Sequence, residues 1–157
     1  MMKLITNPNG WSCLLASAAM ALDTTTQNLV EMIGHDGSAI IFPELQDPGG
    51  RRGHHYQEIV DCAIKLGYSV TPIEALPYST PNGKLEFPVD FKISNVRRLR
   101  EHMKDTRGII TGLSTNWRHA VYWDGELVYD PRGRVYIFTH CDMIIDTYYR
   151  FDKIKSI

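Results

Sequence analysis

The chain has 157 residues, of which 43% are hydrophobic and 22% charged, values that predict one globular domain over 1–157 and exclude a disordered or fibrous protein. Its formal net charge of −1 argues against a nucleic-acid partner, which requires a concentrated basic surface. Arg97, Arg98 and Arg100 form the one basic cluster. Acidic residues follow them, so we interpret the cluster as a solvated helix face.

Membrane association and secretion are also not expected. No apolar run approaches the ~20 residues that cross a bilayer, and residues 1–10 lack the apolar middle of a signal peptide. The chain has three cysteines, Cys13, Cys62 and Cys141. Because their number is odd, they are widely spaced and they form no CxxC motif, we expect no disulfide framework. The sequence therefore predicts a cytoplasmic protein.

The first part of the chain predicts helices. Apolar residues recur at helical spacing from Cys13 to Leu22, and Ser12 is placed to cap that helix. Further helices are predicted after Thr24–Thr26, ending at Gly34, and over 56–66, ending at Gly67. Residues 34–53 lose this periodicity, so we interpret them as a functional loop or as a strand region that the pattern does not reveal.

The second part of the chain is richer in strand patterns. A short strand is predicted over 68–73, and residues 72–88 are predicted to be mostly loop. A helix is predicted through Val96, Leu99 and Met103, with a cap near Ser94. An Asp124-Gly125 turn between two aromatic and β-branched runs indicates a hairpin. We expect an α+β domain with N-terminal helices packed on a C-terminal antiparallel sheet, whose strands are predicted over 108–113, 120–123, 126–129, 135–138 and 147–151.

Cys13 is the candidate nucleophile. A thiol attacks a carbonyl as the thiolate, a form that a helix N-terminus and a nearby histidine both favour. Cys13 opens the first predicted helix, directly after Asn-Gly-Trp-Ser. Cys62 lies in mid-helix on an apolar face and is interpreted as a core residue, whereas Cys141 lies in a stretch that no pattern places. The alternative for Cys13 is a buried thiol that serves only packing.

His119 and Asp130 are the candidate base and its orienting carboxylate. With the turn at Asp124-Gly125, positions 119 and 130 face each other on the same side of the hairpin. A carboxylate there can hold one imidazole nitrogen and leave the other for the thiol. The alternatives are a strand histidine without a catalytic role and an aspartate that only begins a turn.

Other polar and aromatic residues extend this candidate site. The Cys13 amide and a side-chain amide, Asn7 in preference to Asn9, are candidate oxyanion donors. Trp11 and Trp117, each two residues before a proposed catalytic residue, are candidates for substrate binding, although Trp117 also fits sheet core. A further polar set consists of His35, Asp36, His54 and His55. Its spacing is not that of a zinc motif, so we expect no metal and no cofactor. These residues either belong to polar loops or line the cleft.

Taken together, these motifs resemble the papain-like cysteine peptidase superfamily: an upstream amide, a cysteine opening an alanine-rich helix, a distant His-Ala-Val strand and a hairpin ending in Tyr-Asp-Pro. They are most similar to its compact branch, which includes the bacteriocin-processing double-glycine peptidases. The resemblance implies Cys13 as nucleophile, His119 as base, Asp130 as orienter and Asn7 at the oxyanion glutamine's position. Asparagine is one methylene shorter than that glutamine, and Leu14 stands where many members have glycine. Residues 34–107 match no family pattern.

The sequence thus predicts a cysteine peptidase or amidase that cleaves a peptide or protein substrate through a thioester acyl-enzyme. One alternative is a transglutaminase-like acyltransferase that uses the same triad. Another is a catalytically decayed papain-like binding module, which the shorter Asn7 suggests. The natural substrate and the oligomeric state are not predicted.

Overall fold

The computed structural model describes residues 3–39, 53–79, 95–114 and 117–154. Within these ranges the chain is α+β, as predicted, and its six strands form an antiparallel sheet in the order β1-β6-β2-β3-β4-β5. The helices are α1 (Cys13–Ala21), α2 (Thr26–Ile33), α3 (Tyr56–Lys65) and α4 (Asn95–Met103), and the strands are β1 (Tyr68–Ser79), β2 (Arg107–Ser114), β3 (Trp117–Trp123), β4 (Leu127–Asp130), β5 (Arg134–Ile137) and β6 (Ile144–Lys153).

Helix α1 is the central helix of the domain. Every residue from Leu15 to Ala21 is buried, so the helix is covered on all sides and not along one stripe only. Its small alanines allow close approach to the sheet, where α1 lies against β3 and β2. This burial fixes the position of the helix start, which is where Cys13 lies.

Helices α2 and α3 begin and end within one residue of the positions that the sequence predicts. The Thr25 hydroxyl accepts a hydrogen bond from the Asn28 amide at 3.0 Å, and α2 ends at Gly34, whose φ of +97° suits glycine. A capping box between His55 and Glu58 begins α3. Among the described residues, none of the helices combines the length and apolar character needed to cross a bilayer.

The helices cover both faces of the sheet. Residues of α1, α2 and α3 share one apolar cluster with the β2 and β3 side chains Ile109, Ala120 and Tyr122. Helix α4 contributes to a second cluster, with Ile110 and Val121, whose side chains lie on the opposite face. The cap predicted for α4 at Ser94 lies outside the described residues.

Strand β1 is longer than the sequence predicts. A strand ending at Ile73 was expected because proline and glycine punctuate residues 72–88. In the structure β1 continues to Ser79, and it tolerates Pro72 because it is the edge strand of the sheet and pairs only with β6. The prediction that residue 72 begins a mostly loop segment is therefore wrong up to residue 79, and 80–88 lie outside the described residues.

The β3–β4 hairpin has a different register from the predicted one. Tyr122 pairs with Tyr129, and Trp123 pairs with Val128. In this register Val121, not His119, lies opposite Asp130. The turn is centred on Gly125-Glu126, because the Asp124 carboxylate accepts the Glu126 and Leu127 amides at 2.8 and 2.7 Å. The displacement by two residues keeps 119 and 130 on one face as diagonal neighbours, within reach of each other.

Candidate active site

Cys13 is the first residue of α1 and is partly exposed. A short turn precedes it, in which the Asn9 Oδ1 accepts the Trp11 amide at 3.1 Å and the Ser12 hydroxyl at 2.5 Å. The prediction that the Ser12 side chain caps α1 is therefore wrong: its hydroxyl donates to Asn9 and makes no capping bond to the helix. The first amides of α1 thus lack a Ser12 acceptor, which favours negative charge at the helix start.

His119 connects the thiol to the carboxylate. Its ring is buried, and Nε2 donates to the Asp130 Oδ1 at 2.9 Å. Cys13 is near enough to act on the imidazole, and because Asp130 takes Nε2, Nδ1 is the nitrogen left for the thiol. Desolvation lowers the pKa of His119, but the hydrogen bonds to Asp130 and Cys13 and the charge of both partners outweigh it and raise this pKa to about 9. The imidazolium is therefore the favoured form at neutral pH.

Asp130 is 0% exposed and is held by several donors besides His119. The Arg132 backbone amide donates to Oδ1 at 2.9 Å, while the Arg132 Nη2 and the Tyr136 hydroxyl donate to Oδ2 at 3.2 and 3.3 Å. Desolvation raises the pKa of Asp130, but the bonds from His119 and Arg132 prevail and hold it well below its usual range. Asp130 is therefore a carboxylate throughout the physiological pH range.

Arg132 and Tyr136 are site residues that the sequence analysis missed. Arg132 follows Asp130 by two residues in a Pro-Arg-Gly turn, a spacing at which an aspartate commonly accepts the backbone amide. That turn was visible in the sequence and could have indicated the contact. Tyr136 reaches the carboxylate because β5 pairs with β4, Tyr136 lying opposite Val128. The sequence analysis predicted both strands on either side of this turn but did not pair them.

Asn7 lies beside the end of the same hairpin. Its backbone amide donates to the Pro131 carbonyl at 2.8 Å, so the segment before the cysteine is tied to the residue after Asp130. The Asn7 Oδ1 is buried and has no hydrogen-bond partner among the described residues. The structure thus brings Asn7 to the site, and its role as oxyanion donor stays a prediction.

The two candidate tryptophans differ in what the structure describes. The Trp11 indole N–H donates to the Asp36 carbonyl at 3.1 Å, so this ring is tied to the loop after α2. Trp117 is the first residue of β3, two residues before His119, and its side chain lies outside the described part of the structure. Substrate binding by either residue stays a prediction.

The loop histidines form an interacting cluster. The His35 Nε2 lies 2.5 Å from the Glu58 Oε2, and the His35 and His54 rings stack with centroids 4.9 Å apart. Within the described ranges, no group of three or more histidine, cysteine or acidic side chains is arranged to hold a metal ion.

The remaining cysteines lie in different surroundings from Cys13. Cys62 is a buried core residue of α3, as predicted, and burial raises its pKa. Cys141, just after the short 3-10 turn Phe138–His140, is 0% exposed, and burial raises its pKa to about 11. All three cysteines are free thiols, and Cys13 alone combines partial exposure with a histidine partner.

Comparison with protein-family models and with curated proteins finds no match to this chain.

Proposed function

We propose that this protein is a cysteine peptidase or amidase of the papain-like type, acting through Cys13, His119 and Asp130. The observation that carries the proposal is a buried imidazole that is hydrogen-bonded to a buried carboxylate and has the thiol at the start of α1 as its other partner. A strand histidine without a catalytic role would not need a thiol on one side and a carboxylate on the other. The arrangement supplies a nucleophile, a base and an orienting group in the order that acyl transfer requires.

The reaction proceeds in two halves. The Cys13 sulfur attacks the amide carbonyl of a peptide or protein substrate, and its proton resides on His119. The tetrahedral intermediate then collapses to a thioester, while His119 gives the proton to the departing amine. In the second half His119 removes a proton from water, which attacks the thioester, and the carboxylic acid product leaves as the Cys13 thiol is restored.

The oxyanion of each tetrahedral intermediate needs hydrogen-bond donors. The Cys13 backbone N–H, at the start of α1, is the first candidate, and the helix dipole favours negative charge there. Asn7 is the second candidate because its anchor on Pro131 holds it beside the triad hairpin.

The architecture supports the papain-like assignment in two respects. The cysteine opens a buried helix that packs on an antiparallel sheet, and the histidine and aspartate lie on neighbouring strands of that sheet. The three free thiols are also in keeping with the reducing cytoplasm that we propose as the site of action.

The test is iodoacetamide labelling at pH 6, with the modified cysteine identified by mass spectrometry. We expect fast labelling at Cys13, slow labelling at Cys62 and Cys141, and loss of the fast phase in His119→Ala. Cys62→Ala is the matched control, since it removes a thiol and should leave the fast phase unchanged. Slow labelling of Cys13 in the unmodified protein would contradict the proposal and favour a binding module.

A peptide-library digest then separates hydrolysis from acyl transfer. We expect new carboxyl termini without added amine, and their loss in Cys13→Ala. Products that carry an added amine, with no hydrolysed product, would indicate a transferase that uses the same triad.

A further inference from the structure

His35, His54 and Glu58 connect the loop after α2 to the start of α3, and we call these three residues the histidine clasp. The His54 Nε2 donates to the His35 carbonyl at 3.1 Å, and the His35 Nε2 donates to Glu58 at 2.5 Å. The two rings are nearly parallel, with an interplanar angle of 14°. The clasp thus closes two segments that are 19 residues apart in sequence.

The bond between His35 and Glu58 is oriented by a further contact at each end. The Gly37 amide donates to the His35 Nδ1 at 3.1 Å, so the proton of this imidazole resides on Nε2 and points at Glu58. The other Glu58 oxygen accepts the His55 amide at 2.8 Å and begins α3. Replacing any member would therefore loosen its neighbours as well.

Two residues next to the clasp lie against Trp11. The Trp11 indole N–H donates to the carbonyl of Asp36, the residue after His35. The Trp11 carbonyl oxygen lies close to Gly53, the residue before His54: a Cβ added to Gly53 would be 3.2 Å from that oxygen. The Gly53 amide donates to the Gly37 carbonyl at 2.8 Å, which joins the two supports. The Trp11 ring is thus hydrogen-bonded to one neighbour of the clasp, and its backbone carbonyl lies against the other.

We propose that the histidine clasp is a positioning site, which fixes Trp11 and through it the turn that presents Cys13 to His119. This inference rests on the proposed function, because it assigns the clasp to that same site. Trp11 and Ser12 share the Asn9 Oδ1, so a displacement of Trp11 is transmitted to the residue before the cysteine. A shift of about 1 Å between reacting groups is enough to cost on the order of a hundredfold in rate.

The His54 Nδ1 distinguishes positioning from simple stabilisation. This nitrogen is buried and has no hydrogen-bond partner among the described residues. A buried polar atom without a partner destabilises a fold, so the His54 ring stabilises this region less than an apolar ring of the same shape would. Phenylalanine would retain the stacked ring, remove the unpartnered nitrogen and lose the donor to His35.

The experiment compares His54→Phe with the unmodified protein. The matched control is His102→Phe, because His102 is exposed and belongs to α4, which packs on the opposite face of the sheet. Protein labelled with 5-fluorotryptophan gives one fluorine signal for each of its 3 tryptophans, and Trp11→Phe assigns the signal of Trp11. In His54→Phe we expect this signal to shift or broaden and the Cys13 labelling rate at pH 6 to fall about tenfold. The urea midpoint should change little in either variant.

An unchanged Cys13 labelling rate in His54→Phe would overturn the proposal, whatever the fluorine signal does. A fall in the labelling rate that a lower urea midpoint fully accounts for would also overturn the proposal, because the clasp would then act through the stability of the fold. Slow labelling in the unmodified protein is instead the failure of the proposed function. In that case the Trp11 signal decides: a shift supports the clasp as the support of Trp11, and no shift overturns it.

Discussion

Asp130 has more hydrogen-bond donors than the orientation of one imidazole requires. His119, Arg132 and Tyr136 all donate to it, although it is 0% exposed. A buried carboxylate is tolerated only when its charge is satisfied, and here the chain itself supplies the donors. The consequence is an anion that is fixed in position before any substrate binds.

The first residue-scale prediction concerns the charge of Asp130. Asp130→Asn preserves the shape but removes the anion that favours imidazolium at His119. We expect the labelling rate of Cys13 at pH 6 to fall on the order of tenfold, as for a loss of about one pKa unit at the histidine. Iodoacetamide kinetics measures this, and an unchanged rate would show that Asp130 does not act on the thiol. Asp152→Asn, on a half-buried residue at the end of β6, is the control.

The second prediction separates charge from position. Tyr136 donates to Asp130 at 3.3 Å. Tyr136→Phe keeps the ring and removes this bond, so we expect a loss of about 1 kcal/mol in the free energy of unfolding. Because His119 and Arg132 still hold the carboxylate, the Cys13 labelling rate should fall less than in Asp130→Asn. Urea denaturation and labelling kinetics together check this, and a larger fall in rate than in Asp130→Asn would refute it.

The catalytic candidates could be found from the sequence because each is marked by a local signal. Cys13 opens a helix, and His119 and Asp130 flank a hairpin whose turn residues are visible. The contacts of Tyr136 and of the histidine clasp could not be found this way. They depend on pairing between β4 and β5 and on the packing of α2 against α3, which a single sequence does not encode locally.

At the scale of elements, the hairpin shows why register is harder to predict than the existence of strands. The Asp-Gly pair predicted a turn correctly, but Asp124 acts as the residue before the turn, where its carboxylate accepts two amides. The positive φ of Gly125 places it first in the turn, a position at which glycine is favoured. The predicted face was still right, because alternation repeats every two residues.

The element-scale prediction concerns the close contact of β2 with β6. A Cβ at Gly108 would lie 2.0 Å from the Tyr149 carbonyl oxygen, a backbone atom that cannot move without breaking the sheet pairing. We expect Gly108→Ala to lower the free energy of unfolding by about 3 kcal/mol. Gly10→Ala is the control, since nothing lies within 4 Å of its Cβ position. Equal urea midpoints for the two variants would contradict this strand spacing.

At the scale of the whole molecule, the order of the strands determines how the site is assembled. The central strands β2 and β3 lie beneath α1, while the outer pair β4 and β5 contributes Asp130 and its Tyr136 donor. The N-terminal segment crosses to this side through the Asn7 amide and the Pro131 carbonyl. The site thus depends on parts of the chain that come together only when the domain is complete, so its titration should be coupled to global stability.

The last prediction follows from that coupling. The pKa of His119 is raised from 6.5 to about 9 in the fold, so its contribution to stability is fully present below pH 6.5 and is lost as the pH rises towards 9. We expect the free energy of unfolding to fall by up to roughly 3 kcal/mol between pH 6.5 and pH 9.5. Cys13→Ser should reduce this slope, because the thiol is one of the groups that raise the pKa, and His119→Gln should remove it. Urea titrations across this range measure the slope, and the same slope in all three proteins would show that the Cys13–His119 pair is not what couples the site to the fold.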